Sequence, residues 1–185
     1  MQSCLKTRVP SLLSSLIVLG LGLADIQTAS AHAVLEQKEA PIGSSYKAVI
    51  QIGHGCEGSA TVKIRVRVPE GMIAAKPQPK PGWTLEVVSG KYDKAYPYYH
   101  GATLNEGVKE IVWSGGPLPD AWYDEFTFVG LLSGDLTPGT TLWFPVVQEC
   151  EKGINRWIEI PEAGKTAHDY EHPAAGLKLL PKPRD

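Results

Sequence analysis

The chain has 185 residues, a formal net charge of −2 at neutral pH, and 43% hydrophobic residues. That is enough chain for one ordinary domain with a real core. Neither length nor charge provides the basic surface that nucleic acid or anionic lipid requires, so binders of those polyanions are excluded at the outset.

The first segment reads as a secretory leader. Lys6 and Arg8 form a basic start, Ser11 to Leu23 is mostly apolar, and Ala29-Ser30-Ala31 is an A-x-A cleavage site. The apolar run is too short to span a bilayer, and no later run is long enough. Residues 1–31 are therefore expected to be removed. Cleavage would take away Lys6, Arg8 and Asp25, moving the net charge to −3, and would leave His32 at the chain start. A histidine with a free α-amine chelates through that amine and its own Nδ1, closing a six-membered ring that an internal histidine cannot form. Copper(II), which favours tetragonal nitrogen and oxygen donors, suits such a chelate. Chance also puts a histidine first in some mature chains.

Downstream, the pattern is strand throughout. Tyr46, Ala48, Ile50 and Ile52 alternate with Lys47, Val49 and Gln51; Val62, Ile64, Val66 and Val68 alternate with Lys63, Arg65 and Arg67. Trp83 to Val88, Glu110 to Trp113, Phe126 to Leu132, Thr141 to Glu149 and Ile154 to Ile160 are further strands. With an edge segment after His32 they make about eight, which predicts an all-β fold, a single antiparallel β-sandwich. Glu151-Lys152-Gly153 predicts a tight hairpin with glycine at positive φ. Lys76 to Gly82, with three prolines, predicts an extended crossover. The polar, proline-spotted segment 162–185 predicts a tail strapped over a domain spanning 32–161.

Cys4 leaves with the leader, and Cys56 and Cys150 remain. An exported chain with one pair favours a disulfide, closing a loop of about 95 residues and contributing on the order of 4–5 kcal/mol; a thiolate metal site is the alternative. In Ile154 to Ile160, the three isoleucines share one parity and predict the core face, which turns Trp157 to the other side. There it either packs in a small cluster or walls a site.

From His32 to about Leu180 the chain resembles the YcnI-like family of bacterial copper-binding domains. The resemblance rests on the exported histidine, Glu39 and Gly43, Val68-Pro69-Glu70-Gly71, Lys80-Pro81-Gly82-Trp83, Asp124-Glu125-Phe126, and Val147-Gln148 leading through the glycine hairpin to Arg156-Trp157. It implies a compact immunoglobulin-like or cupin-like sandwich holding Cu(II) in a monohistidine brace, with His32 as chelate and Trp157 against the metal. Cys56 and Cys150 resemble the Gram-negative version, which implies the periplasm. Some relatives carry a C-terminal membrane helix; this chain shows none, so no membrane anchor is expected.

A brace supplies two nitrogens, and Cu(II) wants further equatorial donors, so a carboxylate is expected. Glu36 shares strand parity with His32, and Glu39 is the acid that matches the family; either is equally a solvated strand charge. His54 is a further candidate. His168 and His172 could be mistaken for a helical metal pair, but Pro173 and the lack of an apolar stripe speak against one. Met72 alone follows the leader, which excludes a methionine-rich copper(I) site. The expected function is periplasmic capture, buffering or delivery of copper, with another copper chaperone or a membrane copper transporter as partner. A copper-dependent oxidative enzyme acting on polysaccharides is the rival, requiring His54 or His100 as a second brace histidine and Tyr92, Tyr96, Tyr98 and Tyr99 as a substrate face. A metal-free structural sandwich is the third alternative.

Overall fold

The computed structural model describes residues 32–183, so the expected leader lies outside the described residues. Twelve strands build the fold: β1 (Val34–Leu35), β2 (Glu39–Pro41), β3 (Ser45–Ile52), β4 (Thr61–Arg67), β5 (Met72–Pro77), β6 (Trp83–Pro97), β7 (Thr103–Leu118), β8 (Asp124–Leu132), β9 (Thr141–Phe144), β10 (Val146–Cys150), β11 (Ile154–Trp157) and β12 (Ala175–Leu180). They form a four-stranded sheet in the order β1-β3-β8-β5, a five-stranded sheet β11-β10-β4-β7-β6, and a three-stranded sheet β2-β12-β9. All pairings are antiparallel except β12 with β2. Among the described residues no helix is long and apolar enough to cross a membrane.

The sandwich class is as expected, and the strand count exceeds the expected eight. Period-two burial holds in large part: Tyr46, Ala48, Ile50 and Ile52 on β3, and Ile64 and Val66 on β4 with Val68 just after it, face a core that also takes Phe126 and Phe128 of β8, whereas Val49, expected on the outer face, is also buried and Val62, expected inside, is half-buried. Trp83 and Trp113 both set their rings edge-on to Phe126, at centroid distances of 5.0 and 5.6 Å.

Several expectations are corrected. Thr141 to Glu149 is two strands because Pro145, which has no N–H to donate, breaks the ladder. The chain changes sheets there: β9 pairs with β12, and β10 with β4. Lys76 to Gly82 is only partly a crossover, since Lys76 and Pro77 finish β5. The segment 162–185 is not merely strapped on. Its β12 lies in the middle of the three-stranded sheet, and Leu177 and Leu179 are 0% and 1% exposed. The fold thus needs chain well beyond residue 161.

Trp157 reverses the parity expectation. It is 4% exposed and belongs to the main core, whereas Ile154, Ile158 and Ile160 are 42%, 43% and 55% exposed. The isoleucines and Trp157 do lie on opposite sides of β11, but the tryptophan side is the buried one. One tryptophan gains more from burial than an isoleucine does, because aromatic rings bury the larger area. The tyrosines expected as a flat face divide differently: Tyr92 and Tyr96 pack edge-on with centroids 5.5 Å apart, over Ile73, in a second small core.

Cys56 and Cys150 form a disulfide, tying the segment after β3 to the end of β10. The hairpin that follows closes as expected, with Gly153 at φ 87° and a bond from Cys150 N to Gly153 O of 3.1 Å. Gln148 is fully buried beside the disulfide. Its Nε2 donates to His54 O at 2.7 Å and Thr61 Oγ1 at 2.6 Å, while its Oε1 accepts from Asn155 Nδ2 at 3.0 Å. A buried amide is tolerated when its donors and acceptor are all engaged in this way.

Candidate metal site

His32 begins the described chain, two residues before β1. Residues 33 and 35 face the core, so His32, Val34 and Glu36 take the opposite parity and point outward. The imidazole does not hang in solvent: His32 Nε2 lies 3.0 Å from Glu171 O. A carbonyl oxygen can only accept, so that bond requires the proton on Nε2. It thereby leaves the ring lone pair on Nδ1, the nitrogen nearer the backbone amine.

His32 lines a cavity of about 320 Å³. Ala33, Val34 and Leu35 form one side, and Ala174, Ala175 and Gly176 of the β12 region form another. Trp143 of β9 supplies the aromatic wall. It is registered opposite Gly176, where a Cβ would fall 2.7 Å from Trp143 Cζ3. Only glycine lets the indole lie this close over the neighbouring strand. His168 closes the cavity from the 162–173 segment, and Lys38 and Lys178 supply charge.

That segment is held in place by its backbone. Glu159 N donates to His172 O at 3.1 Å, Ala174 N to Glu159 O at 2.8 Å, and His172 N to Glu159 Oε2 at 2.6 Å. The ladder fixes Glu171, and hence the carbonyl that orients His32.

The expected site residues separate. Glu36 is exposed and is not among the residues lining the cavity; its N–H donates to Val49 O at 3.1 Å. Glu39 stands on β2 and ion-pairs with Lys178 at 3.0 Å. It therefore reaches the cavity by neutralising a lysine on its wall. Trp157 does not line the cavity either, and Trp143 takes the wall position. His54 turns its Nδ1 to Gly55 O at 2.5 Å, and His100 sits in an exposed turn at φ 57°. Met72 is fully buried in the core. Among the described residues no three His, Cys, Asp or Glu side chains converge on one point. A chelate made by one histidine and its own amine needs no such trio.

Trp143, His168 and Glu171 belong to this cavity or to the segment that closes it, although the spacing that marks His32 does not point to them. The last acts through its main chain, which no residue type announces. Other residues shared with the resembled family do structural work instead. Lys80 reaches Asp124 Oδ1 at 2.6 Å and Glu125 O at 3.2 Å, with its ammonium 5.2 Å from the Phe126 ring centroid, beneath the turn that Gly82 makes at φ 79°.

The electrostatics lie mostly away from His32. Burial pushes the Tyr46 hydroxyl up, with Glu36 adding to the effect. Tyr123 is pushed up to about 12 by its hydrogen bond to Glu125. Glu149 is pulled upward by burial but held below its ordinary range by the bonds it accepts from Lys63 and Arg65.

Comparison with known proteins gives the class first. A crystal structure of an uncharacterized protein from Nocardia farcinica, described as revealing an immunoglobulin-like fold, superposes with a TM-score of 0.58 at 21% identity, covering 80% of this chain and 98% of that one. The protein is thus an immunoglobulin-like β-sandwich. A family model, "Domain of unknown function (DUF1775)", matches residues 32–179, and the chain belongs to that family. YcnI-like proteins fall within it. No curated protein matches the chain.

Proposed function

We propose that the processed protein captures copper(II) as cargo at its first residue, His32, for buffering or delivery in the periplasm to a copper chaperone or membrane copper transporter. One observation carries the proposal: the hydrogen bond from His32 Nε2 to Glu171 O selects the tautomer in which Nδ1 can join the α-amine in a chelate. Ligating imidazoles commonly donate their other N–H to a backbone carbonyl in this way, which fixes the ring and raises its basicity. The matched family region also begins at His32.

The donor set suits the ion. Amine and imidazole nitrogens are the donors that copper(II) takes in tetragonal geometry. The apolar wall of Trp143, Leu35 and Ala174 keeps bulk water from the cavity side, as a hydrophobic surround does at other metal sites. Glu39 neutralises Lys178, which lowers the repulsion a dication would meet.

Competition titration with a chromophoric copper(II) chelator tests the proposal. Protein that starts at His32 with a free amine is expected to bind one equivalent tightly, and the same protein acetylated at that amine to lose that affinity. Equal tight binding by the two would overturn it.

A further inference from the structure

We propose that His168 provides a third nitrogen donor to the copper held at His32, so that the closing segment 162–173 is part of the metal site. This inference rests on the copper reading above and names a ligand that neither the motifs nor the family match assigns.

The cavity's own lining supports it. Among the described residues that line it, His32 and His168 are the two with side chains that ligate copper at neutral pH; the other polar liners are Lys38, Lys178 and Thr141. Glu36 does not line the cavity, and Glu39 is engaged with Lys178. The equatorial position that two brace nitrogens leave open is thus better matched by an imidazole than by a carboxylate. Copper(II) accepts imidazole nitrogen readily.

The position of His168 is set by bonds on both sides. Asp169 Oδ2 accepts from Thr166 N at 2.7 Å and Thr166 Oγ1 at 2.9 Å, closing the turn Ala167–Asp169 around it. Two residues later, Glu171 O receives the His32 imidazole N–H. One short segment therefore both orients the first histidine and presents the second.

The test compares wild type with His168→Gln, both starting at His32, by copper(II) affinity and by the nitrogen superhyperfine structure of the electron paramagnetic resonance spectrum. His168 is exposed, so the variant is expected to unfold at the wild-type urea midpoint, which separates ligation from a structural effect. The expected result is three nitrogens in wild type and two in the variant. The affinity loss should at least match the roughly 10–100-fold that removal of a residue behind a ligand causes, and added imidazole should restore the third nitrogen. Two nitrogens and equal affinity in both proteins would overturn the role of His168 and leave the brace intact. Copper binding in wild type that is insensitive to acetylation of the His32 amine would overturn the brace, and this inference with it.

Discussion

Replacing Trp157 by alanine tests the reversed face of β11. The side chain is 4% exposed and contacts the main core, so truncation leaves a cavity as well as losing transfer energy. Large-to-small changes of this type cost about 3–5 kcal/mol. Set against a total stability of roughly 5–15 kcal/mol, that is a large fraction, and at about 2–4 °C per kcal/mol for a domain of this size it lowers Tm by roughly 6–20 °C. Ile160 provides the contrast. It is 55% exposed, so only about half of the 1.5–3 kcal/mol available to a fully buried isoleucine is at stake, and no cavity forms: Ile160→Ala should cost about 1 kcal/mol. Urea unfolding followed by far-ultraviolet circular dichroism reads both values, with an unchanged m-value showing that the transition is comparable. Equal losses for the two variants, or a larger one for Ile160→Ala, would refute the assignment of faces.

Three other expectations follow from the structure. Gly176→Ala places a Cβ 2.7 Å from the Trp143 ring, so the indole must move; overpacking costs typically about 1–3 kcal/mol, and Trp143 emission should shift in a steady-state fluorescence spectrum. Copper(II) should quench Trp143 more than Trp157, so that Trp143→Phe removes a larger share of the quenched emission than Trp157→Phe does. Glu149→Gln removes the partner of Lys63, 3.2 Å away, and of Arg65. Because the folded carboxyl titrates below its ordinary value of 4.5, its contribution is present above that pH and is lost as pH falls through the lower folded value. Stabilities of wild type and variant from urea unfolding should differ by about 0.2–1 kcal/mol at neutral pH and converge in acid.

Where one sheet face is buried and the other wet, the alternation of residues placed the strand, as in β3, β4 and β8. Where that contrast fails, so did legibility. Much of β6 and β7 forms a ribbon exposed on both faces, so the pattern stops at Val88 although the strand runs to Pro97. β2 is three residues ending in proline, too short for any period. In β12, Ala175, Leu177 and Leu179 do alternate, but the polar and proline-bearing chain around them obscured it. Trp157 shows a different limit: periodicity separates two faces without saying which is inside, and three isoleucines outweighed one tryptophan. The candidate site was half legible. His32 follows from the cleavage pattern, whereas the carbonyl of Glu171 and the approach of Trp143 over Gly176 depend on pairings between residues far apart in sequence.

The claim that His32 chelates through its own amine is tested most directly by electron paramagnetic resonance of protein cleaved before His32, loaded with one equivalent of copper(II) and carrying ¹⁵N only in histidine. The imidazole nitrogens then give ¹⁵N couplings, and the α-amine of His32, being part of the same labelled residue, adds one more of distinct strength. The account predicts a tetragonal spectrum containing that amine coupling, lost when the α-amine is acetylated. A spectrum with imidazole couplings alone, unchanged by acetylation, would contradict it.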